Sequence, residues 1–107
     1  MTDPANTEPR QIGETARISV PSHVVYRAFV TETVALNIET GQYHGLNSTA
    51  GRMLEELERR GTVAGAAPVL AQEFEQPVDR IRVDLVALCE TLHARGLIVV
   101  GEPDAAS

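Results

Sequence analysis

The chain has 107 residues, enough for one domain, and a formal net charge of −6. All its basic residues are arginine, and an acidic domain is a poor partner for nucleic acid, whose affinity rests on neutralised phosphates. The core must be aliphatic, since there are two Phe, two Tyr and no Trp, and the lone Cys89 excludes an intramolecular disulfide.

Residues 1–13 are polar, carry Pro4 and Pro9 and show no periodicity, and 101–107 are similar. Both are expected to be disordered tails flanking one domain over 14–100. No signal peptide or membrane-length apolar run is visible, so the expected compartment is the cytoplasm. Arg17 to Val20 reads as a short strand that Pro21 interrupts, and Val24 to Val30 resumes it, with an edge position tolerating the proline.

Val34 to Asn47 reads as a hairpin running into a capped helix. Val34, Leu36 and Ile38 alternate with Ala35, Asn37 and Glu39, the period of a half-buried strand. With Thr40-Gly41 as a two-residue turn, Ile38 opposes Tyr43 and Leu36 opposes Gly45 on the core face, while Asn37 and His44 share the outer face. A strand edge beside a helix is a natural dock for an extended peptide.

Three helices are expected next. The first spans about Ser48 to Arg60, capped by Asn47 or Ser48 and ended by Gly61. Its buried stripe is Ala50, Met53, Leu54 and Leu57, and Glu55, Glu56, Glu58, Arg59 and Arg60 form its wet face. Gly51 inside it costs about 1 kcal/mol against alanine, which points to a close approach by another backbone. Thr62 caps the second helix, with Val63, Ala66, Val69, Leu70 and Phe74 inward; Pro68 either kinks it or delays its start. The third runs from about Val78 to Arg95, with Ile81, Leu85, Leu88 and Leu92 as core stripe and Val83, Val86 and Cys89 beside it. Gly96 followed by Leu97 fits a Schellman ending, and Leu97 to Val100 is an apolar tail packing beneath the sheet. The fold class is therefore α+β: a winged helix-turn-helix-like arrangement of an N-terminal three-stranded antiparallel sheet followed by three helices.

His23, His44, His93 and Cys89 match no metal-ligand spacing, and no cofactor motif is present. Cys89 sits on the apolar side of its helix, as a structural cysteine does, and no third group orients His93 toward it. Neither a phosphate loop nor a nucleophile elbow appears. Asp84 reads either as a solvated partner of Arg80 or as a polar contact on the rim of a groove.

The run GQYHGLNSTAGRMLEEL, then TV, then VDLVALCETLHARGLI, resembles the PqqD-like family of leader-peptide-binding proteins, the RiPP recognition elements of peptide natural-product biosynthesis. The likeness covers about Arg17 to Val100, and within the family the hairpin is most similar to the free-standing form of lasso-peptide gene clusters. Pro68 and Gly51 depart from the family pattern. The resemblance implies a non-catalytic peptide chaperone without cofactor or metal. Such a protein adds the leader of a ribosomal precursor as a strand to its sheet and presents it to a transglutaminase-like leader peptidase and a cyclase. Carried onto this chain, the peptide-binding residues are Gln42, Tyr43, His44, Gly45 and Leu46 on the strand, with Arg80, Val83, Asp84 and Ala87 on the third helix. Two alternatives stand beside it: a winged-helix DNA-binding regulator, and a PqqD-type carrier in quinone cofactor biosynthesis. On the third helix Asp79, Asp84 and Glu90 interrupt Arg80, Arg82 and Arg95, which leaves no basic stripe for DNA. A small enzyme is the third class, and no catalytic constellation supports it.

Overall fold

A computed structural model describes residues 12–102, and most of the two expected tails lies outside them. At the described margins the chain is packed: Ile12 is buried and Gly101 belongs to a strand. Strands β1 (Arg17–Ser19), β2 (Val24–Ala28), β3 (Glu32–Asn37) and β4 (Gln42–Asn47) come first. Helices α1 (Ser48–Arg60), α2 (Val63–Phe74) and α3 (Val78–Ala94) follow, and β5 (Val99–Gly101) closes the chain. Strands β2, β3 and β4 form the expected antiparallel three-stranded sheet.

The C-terminal tail does more than pack: Leu97 and Ile98 are buried in the common core with Ala35 and Leu46, and β5 pairs antiparallel with β1 as a separate two-stranded sheet, with Ile18 opposite Val100. Neither three-residue strand carries enough pattern of its own to announce a partner some eighty residues distant.

The hairpin departs from its expected register by two residues. Leu36 opposes Tyr43, Val34 opposes Gly45, and Asn37 opposes Gln42. The loop is therefore 38–41, not Thr40-Gly41 alone. Asn37 closes it: its Oδ1 accepts from the Glu39 and Thr40 N–H groups at 2.9 and 3.2 Å, and its carbonyl accepts from Gly41. Gly41, at φ 76°, supplies the left-handed residue that this turn requires.

The faces of the sheet are also exchanged relative to the pattern reading. A shift of two keeps parity, so Leu36 and Tyr43 do share a face, but it is the outer one. Thr33 and Ala35 point at the helices and are buried, and Ile38 lies exposed in the loop. The cause is the closeness of α1. A Cβ built on Gly51 would overlap the Thr33 side chain, with Thr33 Cβ only 2.6 Å away. Small residues on both elements permit that approach, and Val34 or Leu36 would not fit there. The neighbour that Gly51 accommodates is thus a side chain and not a backbone. Gly51→Ala should lower stability by roughly 1–3 kcal/mol, even though alanine favours the helix by about 1. Urea denaturation measures this, and adding Thr33→Ala should recover part of the loss.

The helices follow local rules closely. Asn47 Oδ1 accepts from the Ala50 N–H at 2.8 Å, and Thr62 Oγ1 accepts from Gly65 at 2.9 Å, so both N-caps are satisfied. Gly61 ends α1 at φ 84°. Pro68 neither delays α2, which begins at Val63, nor enters the core. Pro68 and Ala64 are both exposed, so the carbonyl that loses its donor faces water. At the end of α3, Leu97 N–H donates to Leu92 O (2.9 Å) and Gly96 N–H to His93 O (3.0 Å), the Schellman pair expected.

Two helix residues change sides. Cys89 belongs to the fully buried stripe of α3 with Ile81, Leu85 and Leu92, whereas Val83 is 68 % exposed. Glu56, expected in water, is 1 % exposed and held between two arginines. Arg52 Nη1 donates to Glu56 Oε1 at 2.9 Å and Arg60 Nε to Oε2 at 2.7 Å. Arg52 also reaches Glu73 on α2 at 2.7 Å, tying the two helices together.

Candidate functional site

Strand β4 lies at one border of the three-stranded sheet. Which of its backbone groups are free follows from the ladder. Ile38 N–H donates to His23 O and Phe29 N–H to Glu32 O, at 2.7 and 2.6 Å, so even-numbered residues of β3 bond toward β2. Main-chain groups alternate along a strand, so Thr33, Ala35 and Asn37 bond toward β4. Their partners Leu46, His44 and Gln42 are thereby occupied. The N–H and C=O of Tyr43 and Gly45 point outward, and no strand pairs with them among the described residues.

The side chains divide the same way. Tyr43 lies on the outer face, 70 % exposed, in a row with Leu36 and Val25. Gly45 leaves a gap on that face next to Glu32, whose Oε1 lies 3.4 Å from where a Cβ would sit. His44 opposes the buried Ala35 and so faces the helices, where its Nε2 is shielded and unpaired. Leu46 on the same side is buried and Gln42 is exposed.

Arg80, Val83, Asp84 and Ala87 recur at helical spacing along α3 and are all exposed, so one helix face carries the four of them. Arg80 Nε and Asp84 Oδ2 are 3.9 Å apart, a solvated ion pair worth less than about 1 kcal/mol. Val83 and Ala87 leave the middle of this face apolar. β4 packs on α1, and α3 packs on α2, so the strand and this helix face are held by different neighbours.

The remaining reactive groups are dispersed. Burial pushes the Cys89 thiol up to about 12, with a smaller contribution from Glu90, so it stays neutral and unreactive. His93 is exposed while Cys89 is sealed in the core. Among the described residues no three His, Cys, Asp or Glu side chains are grouped to hold a metal ion, and no helix is long and apolar enough to cross a membrane. On the helix-facing side Tyr26 donates to Glu58 at 2.5 Å, anchoring β2 to α1. Burial first, then that carboxylate, drives the phenol well above its usual range, so it acts only as a donor. The Tyr26–Glu58 contact was not foreseeable, because the fold brings its partner, whereas the arginines around Glu56 lie four residues either side of it on α1 and only its burial needed the fold.

Residues 32–98, more than half of the chain, match the family described as PqqD, coenzyme PQQ synthesis protein D. No curated protein matches the chain in sequence. Two solved structures share its fold. One is TbiB1 in complex with the TbiA(beta) leader peptide, with TM-score 0.67 and 22 % identity over 75 % of this chain and 93 % of that one. The other is a lasso peptide synthetase B1 complexed with the leader peptide, with TM-score 0.69 and 24 % identity over 78 % of this chain and 99 % of that one.

Proposed function

The chain belongs to the PqqD family, and from that membership we propose that it is a non-catalytic peptide chaperone. It takes up the leader segment of a ribosomally made precursor as an added strand along β4. It then presents the precursor to a leader peptidase and a ring-forming enzyme of lasso-peptide maturation. The observation that carries this reading is the unpaired row on β4, where Tyr43 and Gly45 offer two N–H and two C=O groups. Both structural neighbours are complexes with leader peptides, which supports it.

Up to four strand-to-strand hydrogen bonds contribute roughly 2–6 kcal/mol in total. Micromolar affinity requires about −8 kcal/mol after ordering costs, so main-chain pairing alone falls short. Burying about 200 Å² of apolar surface adds roughly 5 kcal/mol. Val83 and Ala87 on α3, with Arg80 and Asp84 at the rim, supply that surface and the selectivity that backbone pairing lacks. Gln42, His44 and Leu46 hold the strand in register through their bonds to β3.

Fluorescence anisotropy with a labelled leader peptide tests the reading, and binding with weak salt dependence is expected. Steeply salt-dependent binding to duplex DNA, with none to peptide, would replace it with the DNA-regulator reading. Val83→Asp should weaken leader binding at least about tenfold, since it sets a charge in the apolar wall. Its urea midpoint should stay unchanged because Val83 is solvent-facing in the free protein. An unaltered affinity would remove α3 from the site. The family description favours a second reading, service in coenzyme PQQ synthesis. Parallel titrations with a lasso precursor leader and a PQQ precursor peptide distinguish the two pathways.

A further inference from the structure

The three-stranded sheet has a second open border, on β2, which leader capture along β4 does not use. The bonds that orient β3 also turn the odd-numbered residues of β2 inward, toward β3. The N–H and C=O of Tyr26 and Ala28 therefore point away from the sheet. Among the described residues no strand pairs with them. Val24 differs, because its N–H is already spent on Pro21 O at 3.0 Å. This border repeats the arrangement on β4: two residues, two apart, each with a free donor and a free acceptor.

A cleft lies directly beside that row. It encloses about 370 Å³ between β2 and the first two turns of α1, with Tyr26, Ala28, Thr33, Gly51, Arg52 and Glu55 in its walls. Phe29, 57 % exposed, also lines it, and the next residue, Val30, is 97 % exposed. Edge strands in monomeric domains are usually blunted by charge, proline or a bulge, or covered by another element. Here the only charge on the strand is Arg27, which points to the outer face and makes no ion pair among the described residues.

Charge selects the occupant. On the outer face this border carries the unpaired Arg27, while the acids Glu55 and Glu58 lie on the helix-facing side, so an acidic side chain is favoured over Arg27 and an uncharged one in the cleft. A strand laid along β2 places its alternate side chains over Arg27 on one face and in the cleft on the other. We propose that the β2 edge is a second strand-addition site, which takes an extended acidic segment of a partner protein with one apolar side chain seated in the cleft. The sheet then joins two chains, one at each border. This site does not depend on what β4 binds.

The test is selection of a displayed library of random short peptides on the full chain, followed by titration of the selected peptides against two proline variants. Ala28→Pro removes an outward N–H at an exposed edge position, and Gly45→Pro does the same on β4; neither N–H belongs to the sheet's own ladder. One group of peptides, enriched in Asp and Glu, should lose roughly tenfold or more of its affinity with Ala28→Pro and none with Gly45→Pro. Arg27→Glu should exchange that group's acidic preference for a basic one. Peptides that respond only to Gly45→Pro would overturn the β2 site and leave the β4 reading intact. A concentration-dependent dimer abolished by Ala28→Pro would overturn it in favour of a second copy of this chain. Selection of peptides at neither border would overturn both readings. Urea denaturation of each variant identifies one that has lost its fold.

Discussion

Gly45→Pro should abolish leader binding while leaving the domain folded. The Gly45 N–H points out of the sheet, so proline there costs β4 no bond to β3. Its ring stands where an added strand must approach, and it removes one of the donors such a strand needs. Loss of the strand pairing corresponds to roughly 2–6 kcal/mol, a fall in affinity of about thirtyfold or more. Gly45→Ala is the control. Its Cβ would meet only Glu32 Oε1 at 3.4 Å, so the backbone row survives and affinity should change little. Anisotropy titrations with a labelled leader compare the two, with urea midpoints showing that both fold. Equal affinity for the proline variant and the native chain would mean the leader does not lie along β4.

Replacing both arginines around Glu56, as Arg52→Met with Arg60→Met, should destabilise the domain by roughly 1–3 kcal/mol at neutral pH, because the arginines are partly exposed and water screens the pair. The carboxylate is 1 % exposed beneath two partly exposed arginines, and without them it is a covered charge with no donor. In the native chain the hydrogen bond from Arg60, then that from Arg52, outweighs burial and holds the Glu56 carboxyl below the usual carboxylate range. That contribution is fully present at neutral pH and disappears only as the pH falls through the depressed value. The double variant reverses the sign. Burial alone remains, the carboxyl titrates above its ordinary range, and stability is lost as the pH rises and regained on acidification. Urea denaturation at pH 7.5 and pH 5 should therefore bring the variant closer to the native chain at the lower pH. A penalty that does not change with pH would mean the arginines act through packing alone. Arg52→Met also releases Glu73, loosening α1 from α2. The double variant thus separates the buried charge, which responds to pH in this window, from the inter-helix tie, which does not.

Much of the architecture was legible because helices announce themselves locally. The cap at Asn47, the stop at Gly61, the cap at Thr62 and the Gly96-Leu97 ending each rest on residues within one turn of one another. The candidate strand was legible for the same reason, since Gln42 to Asn47 sits between a turn and a cap. The α3 face came from the family resemblance, while periodicity placed Val83 beside the core stripe, and the structure leaves Val83 exposed. Less was legible about which groups on β4 are free. That required the ladder parity, which reduces five strand residues to Tyr43 and Gly45 as the ones offering backbone bonds.

By itself the sequence determined what neighbouring residues can decide: the caps at Asn47 and Thr62, the stops at Gly61 and Gly96, and an aliphatic core, while Pro68 left the start of the second helix open. The tertiary structure alone decided the two-residue hairpin register, the exchange of sheet faces, the β1–β5 pairing and the burial of Glu56. Hydrophobic alternation assumes that the larger side chains are buried. Here Gly51 draws α1 so close to the sheet that only Thr33 and Ala35 fit beneath it, and Val34, Leu36 and Tyr43 are turned outward. A steric limit between residues eighteen positions apart leaves no trace in the period of either segment.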